Sequence, residues 1–231
     1  MSKKYCKHIG IIAFLLIGYA IISQYVYEMS GIFIHRAMVW NVFLALLPLL
    51  FMYLFLYSRQ RKKYVLSSLF LITWLLLFPN VPYLMTDFIH ISPLSFYEIS
   101  EQGTYYIREF LPWLELMHIA LGVWFGMLVG YRSLFYFHEW MHEHYGRYSG
   151  WVMAIIVSIL SGYGVFLGRF LRLNSWDILH PSSLLKNIIN SMDSFAFLFT
   201  ICCSGFILIT YAIYYGCFRG RNGSDENIIC K

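Results

Sequence analysis

The residues best equipped for chemistry stand in two short blocks. The first is Pro79-Asn80-Val81-Pro82-Tyr83-Leu84-Met85-Thr86-Asp87-Phe88-Ile89-His90-Ile91. A carboxylate and an imidazole three residues apart can share a proton or orient a substrate, which makes Asp87 and His90 the first acid–base candidates. The second is Gly168-Arg169-Phe170-Leu171-Arg172-Leu173-Asn174-Ser175-Trp176-Asp177. The planar guanidinium groups of Arg169 and Arg172 suit phosphate or carboxylate recognition. Asn80 and Tyr83 from one block, and Asn174 and Asp177 from the other, are placed to shape a pocket around such a group. Glu115 and His118 form a further pair at i, i+3, with His118 a candidate base for the same site. The plain alternatives are structural: an Asp87–Arg169 salt bridge, a buried hydrogen-bonded histidine, and arginines that snorkel to an interface.

These blocks sit in a chain of 231 residues that is 59% hydrophobic and 20% aromatic, with only 13% charged. Soluble domains carry roughly twice that charged fraction, so the composition implies an all-α, polytopic membrane helix bundle. The apolar runs give about six spans: 9–27, 38–57, 65–78 with a broken continuation, 110–131, 151–170 and 194–215. They read as one transmembrane domain over residues 1–219, followed by a tail, 220–231, expected to be disordered. The net charge of +5 is spread over loops and offers no nucleic-acid surface.

The third span holds the first block because it is too short on its own. Val65 to Phe78 covers 14 residues. That is about 21 Å at ~1.5 Å per residue, against a hydrocarbon core of ~30 Å. Pro79 and Pro82 interrupt it, and Asn80 is a natural N-cap for a second helix beginning near Pro82. On that helix Tyr83, Thr86, Asp87 and His90 would share one face. The fifth span carries Gly164 and Gly168, with Ser161 and Gly162, a small-residue surface that admits a neighbouring helix.

Orientation follows from the basic residues. With the N-terminus inside, the inner segments hold Lys3, Lys4, Lys7, Arg59, Arg61, Lys62, Lys63, Arg132, Arg147, Arg219, Arg221 and Lys231, and the outer ones Arg36, Arg108, Arg169, Arg172 and Lys186. The excess puts both termini in the cytoplasm, and both polar blocks then face outward. None of the five cysteines faces outside in this topology, so no structural disulfide is expected.

His138-Glu139-Trp140-Met141-His142 matches the H-E-x-x-H zinc pattern. Charged Glu143 follows directly, no third ligand is evident, and the segment lies on the opposite side from the other blocks. An amphipathic helix in a loop from Arg132 to Gly150 is the better reading, and no metal or other cofactor is expected.

Leu77-Phe78-Pro79-Asn80-Val81-Pro82-Tyr83 with Thr86-Asp87 and His90, together with Gly168-Arg169-Phe170-Leu171-Arg172 and Asn174-Ser175-Trp176-Asp177, resembles an uncharacterised bacterial family of integral membrane proteins, domain of unknown function 1361. The resemblance covers roughly residues 65–177. It implies a multi-pass protein of the bacterial plasma membrane and supplies no activity.

Two functional readings follow. One is an outward-facing site for an anionic lipid-like or lipid-linked substrate, with hydrolase or transferase chemistry at the outer leaflet if it is an enzyme. Asp87 with His90 or His118 would be its catalytic groups. The other is a non-catalytic scaffold or accessory subunit of an envelope complex. Its partners would be membrane lipids or another membrane protein.

Overall fold

The structure, a computed structural model, describes residues 3–173 and 191–219. Asn174 and Asp177, like the tail from residue 220, lie outside the described residues.

Six helices, or helix pairs, are long and apolar enough to cross a membrane: His8–Ser30, Ile34–Gln60, Tyr64–Ile91, Phe110–Tyr145, Ser149–Phe170 and Ser194–Arg219. Their surfaces fit lipid rather than water. Val65 is 80% exposed, Phe14 75% and Trp124 67%, while serine, histidine and aspartate side chains are among the buried ones. The chain divides into two compact units, residues 1–129 and 130–231.

In the first unit α1 (Lys3–Ser30) is followed by α2 (Ile34–Gln60) after a three-residue turn. Gly31 makes that turn in the left-handed region, φ +70°, and its N–H still bonds Tyr27 O at 2.8 Å. The second helix begins at Ile34, four residues before the start at 38 expected from the sequence, and His35, expected in a connection, is buried inside it.

The third span is broken at the expected place but in a different way. Helix α3 (Tyr64–Leu77) is followed by the short α4 (Asn80–Tyr83) and by a 3-10 helix, Leu84–Ile91. Asn80 does not cap the second piece. Its Nδ2 donates backward to Leu77 O at 2.8 Å, a carbonyl whose usual helical donor, the Val81 N–H, is turned to Phe78 O instead. The 3-10 geometry also changes the face. With three residues per turn, the row that points inward is Val81, Leu84 and Asp87, all buried. Tyr83 and Thr86 are only half-buried, because the expected shared face assumed 3.6 residues per turn.

A short antiparallel hairpin, β1 (Tyr97–Ser100) and β2 (Gly103–Tyr106), follows, with Ser100 opposite Gly103. Trp113 pins its base to the next helix: Nε1 donates to Ile107 O at 3.1 Å, and the ring meets Phe96 edge-on.

Helix α5 (Phe110–Tyr145) runs 36 residues. The histidine-rich segment expected as a loop from 132 is thus the continuation of this helix. In the second unit α6 (Ser149–Phe170) packs against α7 (Ser194–Arg219). The close approach falls at Gly162, where a Cβ would meet Ser204 Oγ and the Thr200 carbonyl. Gly164 and Gly168 are half-buried.

Candidate functional site

Four buried polar side chains from three helices make a continuous chain in the first unit. Ser23 of α1 places Oγ 2.7 Å from His118 Nε2 of α5. The other ring nitrogen, His118 Nδ1, lies 3.0 Å from His35 Nδ1 of α2. His35 Nε2 is in turn 3.3 Å from Glu115 Oε2, an ion-pair contact rather than a well-directed hydrogen bond. All four are nearly sealed from solvent, with His35 fully buried.

Local sequence explains why they meet. Glu115 and His118 are three residues apart, so they rise on one face of α5. His35 stands in the first turn of α2 and Ser23 about two turns before the end of α1, and the tight turn at Gly31 folds α2 back along α1 so that both reach His118. Ser23 lies seven residues before the end of α1 and His118 eight after the start of α5. That is about 10–12 Å along each axis at ~1.5 Å per residue. The groups are therefore within the apolar length of the helices, where ionisable side chains are costly and are retained for a reason.

Tyr19 closes the chain on one side. Its ring stacks on His118 with centroids 4.9 Å apart and planes 4° from parallel. Its hydroxyl lies 3.4 Å from His118 O. Gly122 makes this possible, since a Cβ there would fall on the Tyr19 phenol and 2.9 Å from Met38 Cε. Asp87 also belongs to this unit. Its Oδ2 accepts a hydrogen bond from Asn41 Nδ2 of α2 at 2.9 Å, and it is close enough to act electrostatically on Tyr19.

The structure thus groups Asp87 and His118 in one unit, though each is held by different partners. His90 is half-buried at the end of the 3-10 helix, and the Thr86 hydroxyl is turned onto Tyr83 O at 2.6 Å. Arg169 and Arg172 are in the second unit, Arg169 half-buried and Arg172 exposed. Arg172 has a left-handed backbone, φ +57°, and the turn it makes lets Leu173 N–H bond Leu167 O at 3.2 Å. Sequence reasoning missed Ser23, Asn41 and the role of His35. A single serine or asparagine in an apolar run carries no periodic signal, but an earlier start for the second helix would have put His35 beside the others.

His138, first residue of the zinc-like pattern, is boxed by aromatic rings in the second unit. Tyr215 stacks on it at 4.3 Å and Trp151 meets it edge-on at 5.0 Å. Glu139 accepts a hydrogen bond from Tyr215 at 2.8 Å. Among the described residues no group of three or more His, Cys, Asp or Glu side chains is arranged to hold a metal ion.

Six apolar spans, with a small, internally bonded polar cluster in the first unit, define a multi-pass helical membrane protein. Residues 40–210 match the family described as "Protein of unknown function (DUF1361)", and the chain belongs to that family. No curated protein and no solved structure matches it.

Proposed function

We propose that this chain is a bacterial plasma-membrane protein whose first unit holds an extracytoplasmic, membrane-embedded site for an anionic lipid-like or lipid-linked substrate. The observation that carries the reading is the Ser23–His118–His35–Glu115 chain at membrane depth. Burying four polar groups where apolar ones would pack costs stability, and such groups commonly mark a substrate or proton path. With both termini in the cytoplasm, as the basic residues suggest, this end of the spans faces outward. Asp87 and His118 are the acid–base groups within the unit, with His90 at its edge. Separately, in the second unit, Arg169 and Arg172 offer guanidinium groups suited to a phosphate, an anion contact of that unit's own.

The test is lipid binding by the full-length protein in nanodiscs. Anionic phospholipid is expected to be retained in preference to a zwitterionic one, and Arg169→Ala with Arg172→Ala is expected to abolish the preference. Equal retention of both lipids by the unaltered protein removes the reading.

One observation favours the non-catalytic alternative. Asp87 and His118 are already engaged by neighbouring side chains, as fastening groups in a scaffold would be. That reading expects Asp87→Asn and Arg169→Lys to leave function intact, and the protein to co-purify with another membrane protein.

A further inference from the structure

The geometry points to a site for one exchangeable proton, shared by Glu115, His35, His118 and Ser23 as a unit. The observation is the double partnership of Ser23. Its Oγ lies 2.7 Å from His118 Nε2 and 2.8 Å from Tyr19 O. The hydroxyl has one hydrogen and so can donate to only one of them at a time. Each choice sets the direction of the hydrogen bonds along the chain.

When Ser23 donates to His118 Nε2, the proton of that ring must be on Nδ1. It then points at His35 Nδ1, 3.0 Å away. His35 must carry its own proton on Nε2, the nitrogen in ion-pair contact with Glu115 at 3.3 Å, whose carboxylate then holds no proton. When Ser23 donates to Tyr19 O instead, His118 donates from Nε2 to Ser23, and His35 donates from Nδ1 to His118. His35 Nε2 then needs a proton from Glu115, or keeps its own and stands as an imidazolium beside the carboxylate. The second arrangement holds one more proton than the first. That proton enters at the Ser23 end: Ser23 passes its own hydrogen to His118 Nε2 and turns the new one to Tyr19 O, the hydrogen between the two Nδ1 atoms passes from His118 to His35, and His35 Nε2 passes its hydrogen to Glu115 or keeps it. No bond other than N–H and O–H bonds is made or broken.

The surroundings limit what else can respond. Tyr19 from α1 stacks on His118, and Asp87 from the 3-10 helix, bonded to Asn41 of α2, acts electrostatically on Tyr19. Glu28 is occupied by Gln24 on an exposed surface, and Arg36 lies over the Tyr27 ring. The inference does not rest on the lipid reading, because its ligand is the proton alone.

The test is solid-state NMR of the full-length protein in nanodiscs, with 15N-labelled histidine, over a pH series. His35 and His118 are expected to exchange tautomer at one common midpoint, and Glu115→Gln, which cannot ionise, is expected to remove that step. Ser23→Ala is expected to keep a common midpoint at a shifted pH. Two separate midpoints in the unaltered protein overturn the inference whatever the variants do. So does an unchanged common step in Glu115→Gln.

Discussion

Asn41 Nδ2 donates to Asp87 Oδ2 at 2.9 Å, and this bond ties the 3-10 part of the broken third span to the first third of α2. It joins residues 46 apart in sequence where Asp87 is only 1% exposed. Removing one partner leaves the other desolvated, a loss of about 1–3 kcal/mol. Asn41→Ala is therefore expected to lower the melting temperature of the detergent-solubilised protein. Asp87→Asn is expected to cost less, because its amide oxygen can still accept from Asn41. If Asn41→Ala melts like the unaltered protein, the bond does not hold the third span.

The same span is seated by a second contact. Leu84 is fully buried, and a Cβ on Gly126 of α5 would fall on its side-chain tip and 3.3 Å from Ala45 Cβ. Overpacking of this kind costs about 1–3 kcal/mol. Gly126→Ala is expected to destabilise, and Leu84→Ala to destabilise by leaving a cavity. The two together should be less damaging than the sum of the singles. Strict additivity in a double-mutant cycle, read by thermal unfolding, would show that Gly126 and Leu84 do not share this space.

In the second unit the corresponding glycine faces backbone. A Cβ at Gly162 would stand 2.8 Å from the Thr200 carbonyl and 3.1 Å from Ser204 N. A carbonyl fixed in a helix cannot swing aside as a leucine tip can. Gly162→Ala is expected to lower stability more than Gly126→Ala, and Ser204→Ala should not rescue it. Parallel unfolding of the two variants checks the ranking, and a milder effect at Gly162 would mean that α6 and α7 slide freely.

Much of this architecture was legible in the sequence because membrane depth imposes long apolar runs, and those are hard to misread. The Pro79–Pro82 break was visible for a similar reason: proline forbids an ordinary helix whatever surrounds it. What followed the break was not visible. Nothing in Leu84 to Ile91 distinguishes 3.0 from 3.6 residues per turn, so Asp87 was assigned to the face of Tyr83 and not to that of Leu84. The long helix at 110–145 was cut short because Arg132 and the histidines read as a loop, yet the Tyr136 hydroxyl accepts from Arg132 Nε at 3.1 Å and rings enclose His138. His118 and Glu115 were identified by spacing on one helix. Ser23 and His35 were not, because a contact between three different helices leaves no mark in any one of them.

Arg172 separates backbone strain from binding. A non-glycine residue at φ +57° carries a penalty of about 1–2 kcal/mol that glycine escapes. Arg172→Gly is therefore expected to leave the melting temperature equal or slightly higher. Arg172→Val is expected to lower it, since a branched Cβ fits this region worse. The same variants speak to the proposed anion site. If the guanidinium holds a phosphate, Arg172→Gly loses preference for anionic lipid while keeping full stability, and Arg172→Lys keeps part of the preference. The discriminating measurement is lipid retention in nanodiscs beside thermal unfolding. A glycine variant that is stable and still selects anionic lipid would exclude Arg172 from binding and leave its role as the residue that turns the chain out of α6.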